Sequence, residues 1–121
     1  MKRTSVIAML MLTALILAAL PLRAFAHAHL LAATPADDSV LAQAPTQFSL
    51  QLNEPARLTF LSIQKDNEPP QKIGALPSAA SAQWVIPAPA LTPGSYILSY
   101  RLLSDDSHIV SGSIKFRIRE P

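Results

Sequence analysis

From residue 27 to the C-terminus the apolar positions recur with a period of two rather than 3.6. In "QFSLQL", Phe48, Leu50 and Leu52 fall on one face, and in "RLTFLSI", Leu58 and Phe60 do the same. Tyr96, Leu98, Tyr100 and Leu102 alternate with Ile97, Ser99 and Arg101. Ile114, Phe116 and Ile118 alternate with Lys115, Arg117 and Arg119. Successive side chains of a strand point to opposite faces, so each run predicts a half-buried strand. "AQWVI" around Trp84 and "HLLAAT" near residue 30 predict two more. Trp84 and the alternating aliphatic residues are read as core, because inward apolar alternation is what a sandwich packs.

Turn signals separate these runs: "TPADDS", "NEPA", "DNEPP", "LTPGS" and "SDDS". Short strands with this punctuation predict an all-β fold, a single β-sandwich. Residues 66–82 are rich in Pro and Ser and are expected to be the most mobile stretch. There is no internal repeat and no long linker.

The first 26 residues have another character. Lys2 and Arg3 precede an apolar run over residues 6–20, broken only by Thr13. Pro21 ends the run, and Ala24-Phe25-Ala26 has the small-residue pattern of a signal-peptidase site. The run is shorter than the roughly 20 residues that span a bilayer. Residues 1–26 are therefore expected to be a cleaved signal peptide that exports a domain of residues 27–121 to the periplasm; the alternative is an uncleaved membrane anchor.

Removing this segment changes the chemistry available. Lys2, Arg3 and Arg23 leave with it, so 7 Lys+Arg stand against 8 Asp+Glu and the net charge moves from +2 to −1. No clustered basic face remains for a nucleic acid. The chain has no cysteine, which excludes disulfides, thiolate metal sites, a cysteine nucleophile and the blue-copper ligand set. All three methionines (Met1, Met9 and Met11) lie in the leader.

Two of the three histidines, His27 and His29, follow the expected cut directly. Cleavage after Ala26 would leave His27 with a free α-amine beside its imidazole, two nitrogen donors able to chelate one ion. The amine must lose its proton to bind, and nitrogen donors in a tetragonal arrangement favour Cu(II). On position alone, the plain reading of such a histidine is a solvated terminal residue. The third histidine lies in "SDDSHIVSG". In an extended segment Asp106 and His108 would point the same way and offer an oxygen and a nitrogen to one ion; the plain reading is a polar loop with Asp105 and Asp106 as turn formers.

The start "HAHLLAATPADDSVL", the middle "LQLNEPARL" and the end "SYRLLSDDSHIVSGSIKFRI" together resemble the CopC family of periplasmic copper-binding proteins. The resemblance runs over essentially the whole of residues 27–121. It implies a Greek-key β-sandwich of the cupredoxin-like or immunoglobulin-like kind. It also implies one Cu(II) per chain, bound by His27 through amine and imidazole, by Asp106 and by His108. Glu54 in "LNEPA" matches a family Glu near the metal, as a weak ligand or a neighbour of the ligands. A CopD-type copper transporter in the inner membrane is the implied partner.

Three departures from the family pattern stand out. Its D-G-H-P is Asp106-Ser107-His108-Ile109 here, and losing the Gly costs stability if residue 107 has positive φ. Tyr100 replaces an aromatic that is often Trp. The methionine-rich Cu(I) site of some members is missing.

The expected function is a copper carrier or chaperone in copper homeostasis or resistance, not an enzyme. The alternatives are a small copper monooxygenase-like enzyme using an N-terminal histidine brace, and a metal-free exported interaction domain. His29 suits a competing local mode, in which the α-amine, two backbone amides and its imidazole surround Cu(II) in a plane. A folded site with oriented ligands is expected to win over that mode, with His29 not a primary ligand.

Overall fold

The computed structural model describes residues 28–121. The expected signal peptide and His27 lie outside the described residues. Seven strands follow one another: β1 (Leu30–Thr34), β2 (Ser39–Leu41), β3 (Gln47–Lys65), β4 (Gln71–Lys72), β5 (Ser81–Pro87), β6 (Gly94–Ser104) and β7 (Ile109–Ile118). Among the described residues there is no helix, as the period of two requires.

The 19-residue β3 organises the sandwich. Its first half pairs antiparallel with β1 on one side and β5 on the other. Its second half pairs with β6 and β4. Strand β7 continues that layer from β6, and β2 closes it by pairing parallel to β7. The "NEPA" stretch, expected as a turn, is instead part of one unbroken strand. Pro55 lies where β3 has no β5 partner between Gln51 and Ala56, a position that tolerates a residue without an N–H.

The core lies between the layers. Phe48, Leu50, Leu61, Leu98, Leu102 and Ile114 are fully buried, and Trp84, Ile86, Phe116 and Ile118 are nearly so. Phe48 from one layer meets Phe116 from the other at 6.2 Å between ring centroids, and Tyr96 stacks on Phe116 at 5.3 Å. Gly112 is needed for close approach: a Cβ there would collide with the Tyr100 ring lying across it.

The expected pairing of Leu58 with Phe60 on one face is corrected by a bulge. The register with β6 slips between Leu58 and Phe60, and one extra residue in a strand reverses every side chain beyond it. Leu61 and Ile63 therefore turn inward. Phe60 turns outward, where the Arg101 guanidinium lies 5.3 Å from its ring centroid.

Loop chemistry docks the rest. Asp37 accepts the Lys115 amide at 2.8 Å, and Asp38 donates its amide to the Lys115 carbonyl at 2.6 Å, so the "TPADD" turn is clamped to β7. Within residues 66–82, Ile73 donates its amide to Leu61 at 2.8 Å, and Arg57 donates to the Ser78 carbonyl at 3.1 Å. Ile73 and Leu76 pack partly buried against the core.

Candidate metal centre

The β6–β7 hairpin carries Asp106 and His108. Its loop closes with the Ser107 amide donating to the Ser104 carbonyl and the Ser104 amide donating to the His108 carbonyl, both at 3.0 Å. Ser107 has φ 66°. This is the three-residue hairpin in which a turn is followed by one left-handed residue. Asp106 and His108 therefore meet through a turn, not along the extended segment that the i, i+2 argument assumed.

The left-handed conformation crowds Cβ against the following carbonyl, and Gly avoids this. The condition attached to the missing Gly is thus met, and Ser107→Gly is expected to raise stability by about 1 kcal/mol. The check is an increase in the urea midpoint at unchanged m.

The Asp106 carboxylate is the hub of the turn. Its Oδ1 accepts a short hydrogen bond from the Ser104 hydroxyl, and its Oδ2 faces His108 Nδ1 at 2.6 Å. The side chains of His108 and Asp106 keep 56% and 42% of their exposure, so the pair is reachable from solvent. With Nδ1–H donating to the carboxylate, Nε2 is the ring nitrogen that would meet an ion. A carboxylate behind the imidazole is the usual arrangement of metal-binding histidines, and a set of nitrogen and oxygen donors without sulfur suits Cu(II). By that chemistry the two residues fit the metal.

The Ser104 hydroxyl first, and then His108, hold the Asp106 carboxyl well below the usual carboxylate range. A carboxyl whose folded pKa is depressed contributes stability above its unfolded value of about 3.9. That contribution is lost as pH falls through the folded value. Ser104→Ala is expected to raise the Asp106 pKa toward the ordinary value, read by NMR titration of the side-chain carboxyl carbon. An unmoved titration would remove Ser104 from this role.

A second feature lies along the same stretch of β3. Asn53 donates its amide to the His29 carbonyl at 3.1 Å, and the His29 amide donates to Asn53 Oδ1 at 2.6 Å. Three residues on, Ala56 pairs with Ser104 of β6. Residues 53–56 thus join the start of the described chain to the Asp106–His108 turn, over roughly 10 Å at strand rise. Trp84 supports the stretch from the core, its indole N–H donating to the Ala56 carbonyl at 3.2 Å.

Of the expected ligands, the structure brings Asp106 and His108 together. Glu54 lies in the joining stretch, half-buried. Among the described residues no third His, Cys, Asp or Glu forms a metal-holding group with that pair. Sequence reasoning missed Ser104 and Asn53. Ser104 left a signal: it is a polar residue at an inward position of the β6 alternation, two beyond Leu102, and it is 4% exposed. Asn53 left none, because its role depends on which segment lies beside it.

Residues 30–119 match the CopC domain. Copper resistance protein C of Xanthomonas campestris pv. juglandis is 33% identical over 106 residues, covering 79% of this chain and 83% of that protein. The protein of the same name in Pseudomonas syringae pv. tomato is 29% identical over 104 residues, covering 78% and 82%. Among solved structures, CopC from Methylosinus trichosporium OB3b superposes with a TM-score of 0.63 at 25% identity, over 77% of this chain and 94% of that one. PcoC from Escherichia coli, described as a methionine-rich copper resistance protein, gives a TM-score of 0.58 at 29% identity, over 78% and 100%. With its domain matched almost from end to end and its sandwich shared with these structures, the chain belongs to the CopC family.

Proposed function

We propose that this protein binds copper in a copper-resistance or copper-homeostasis role, as a carrier or chaperone rather than an enzyme. The observation that carries the reading is the exposed Asp106–His108 pair at 2.6 Å. Its turn is joined, through the pairing of Ser104 with Ala56, to the β3 stretch that receives the start of the described chain by the His29–Asn53 hydrogen bonds.

In this reading residues 1–26 are a signal peptide cut after Ala26, and residues 27–121 work in the periplasm. One Cu(II) per chain is held by the His27 amine and imidazole, by His108 and by Asp106. With Oδ2 on His108 Nδ1, the carboxylate stands behind the ring, away from an ion on Nε2, so Asp106 would give that ion an oxygen only by turning away from Nδ1. Glu54 supports the site from the joining stretch. Copper is then passed on, and a CopD-type transporter in the inner membrane is the matching recipient.

The test is a Cu(II) titration followed by electron paramagnetic resonance on protein beginning at His27, against the same protein with one Gly added in front. Expected is tight 1:1 binding with tetragonal nitrogen coupling, lost on adding the Gly because the His27 nitrogen becomes an amide. Binding indifferent to the extra residue would sink the terminal site.

A further inference from the structure

We infer that Asn53 is a specificity-determining residue that keeps copper out of the planar mode available to the sequence His27-Ala28-His29, and so directs it to the folded site. The inference rests on the functional reading above.

The planar mode requires the metal to bond the backbone nitrogens of both Ala28 and His29, each exchanging N–H for N–Cu with its proton released to solvent. The His29 imidazole completes the plane. Both nitrogens belong to a segment that the fold holds. The His29 amide is committed to Asn53 Oδ1 at 2.6 Å, and the His29 carbonyl accepts from the Asn53 amide at 3.1 Å. Asn53 thus clasps both sides of His29, in line with the β1–β3 ladder that begins at Leu30 and Leu52. Ala28 is 0% exposed and belongs to the hydrophobic core. An ion bonded to its nitrogen needs the segment drawn out of that core.

The planar mode is therefore open only to a detached segment, and detachment costs the clasp and the burial of Ala28. One arm of the clasp is backbone and survives any substitution at residue 53 other than proline. The other is the Asn53 side chain. The unfolded chain, or a short peptide of the same sequence, has neither restraint. Two copper modes written into one terminus are in this way separated by the burial of Ala28 and the clasp at His29, of which the Asn53 side chain is the part a substitution can remove.

The test uses protein beginning at His27, loaded with one equivalent of Cu(II), and reads the electron paramagnetic resonance and visible spectra. His29→Ala is expected to change the wild-type spectrum only by removing a minor planar component. Asn53→Ala is expected to raise the four-nitrogen planar component about two- to tenfold, the factor by which losing one net hydrogen bond shifts a local equilibrium. Adding His29→Ala to it should abolish that component. Asn53→Asp keeps an acceptor for the His29 amide and should restore the wild-type spectrum.

A second measurement needs no variant: the His29 amide of the metal-free wild type should be protected from hydrogen exchange. Exchange at the rate of a free peptide, or an Asn53→Ala spectrum identical to wild type while His108 remains a ligand, overturns this inference alone. Wild-type binding no tighter than that of the peptide His-Ala-His-Leu overturns the functional reading and this inference with it.

Discussion

His108→Ala is expected to lower Cu(II) affinity by at least about 100-fold while leaving the fold intact. Loss of a partner that only orients a metal-binding histidine typically costs 10- to 100-fold, and removing the imidazole itself should exceed that range. The stability cost is small because the side chain is 56% exposed, and substitutions at such positions usually stay within about 0.5 kcal/mol. The loop keeps its backbone hydrogen bonds, since Ser104 and Ser107 donate main-chain amides to main-chain carbonyls. Asp106 also retains the Ser104 hydroxyl. The two effects separate cleanly in a competition titration for copper and a urea curve for stability. An affinity unchanged within a factor of three would remove His108 from the metal site.

Trp84→Ala is expected to destabilise the protein by about 3–5 kcal/mol, the range for deleting a buried aromatic. The side chain is 3% exposed and packs in the core between the layers. It also donates to the Ala56 carbonyl at 3.2 Å, at the point where β3 changes partners. Removing the indole leaves that buried acceptor without this donor. Domains of this size are stable by about 0.05–0.15 kcal/mol per residue, so the variant should be marginally folded. Trp84→Phe keeps most of the volume and loses the hydrogen bond, and about 1–3 kcal/mol is expected. Trp84 is the only tryptophan, so unfolding must be followed by circular dichroism. Equal costs for the two variants would show that packing volume is not what Trp84 contributes.

The strand pattern was legible where pairing is regular. β6 and β7 form an unbroken antiparallel register from Gly94 and Ile118 to Leu103 and Ile109, and their inward residues are those that alternation names. It failed at Phe60, because a bulge is set by the partner strand as well as by the strand itself. It failed again at "NEPA", where Pro and a charged neighbour look like a turn. Tertiary pairing on both sides of Pro55 keeps the strand running, and local propensity yields to it.

The candidate site divides in the same way. Asp106 and His108 are two residues apart, so the sequence keeps them close, and the turn closed by β6 and β7 sets their contact. Ser104 and Asn53 act across the fold or from a buried position, and their roles appear only once β1, β3 and β6 are neighbours. By itself the sequence determined the period-two core, the absence of Cys and of any Met after residue 11, the signal-like pattern of residues 1–26 and the Asp-x-His pair, because each is a property of residues close together along the chain. Only the tertiary structure decided that residues 53–56 of β3 join the start of the described chain to the β6–β7 turn. That joining depends on one strand serving both layers, and such long-range pairing is not encoded in any short stretch.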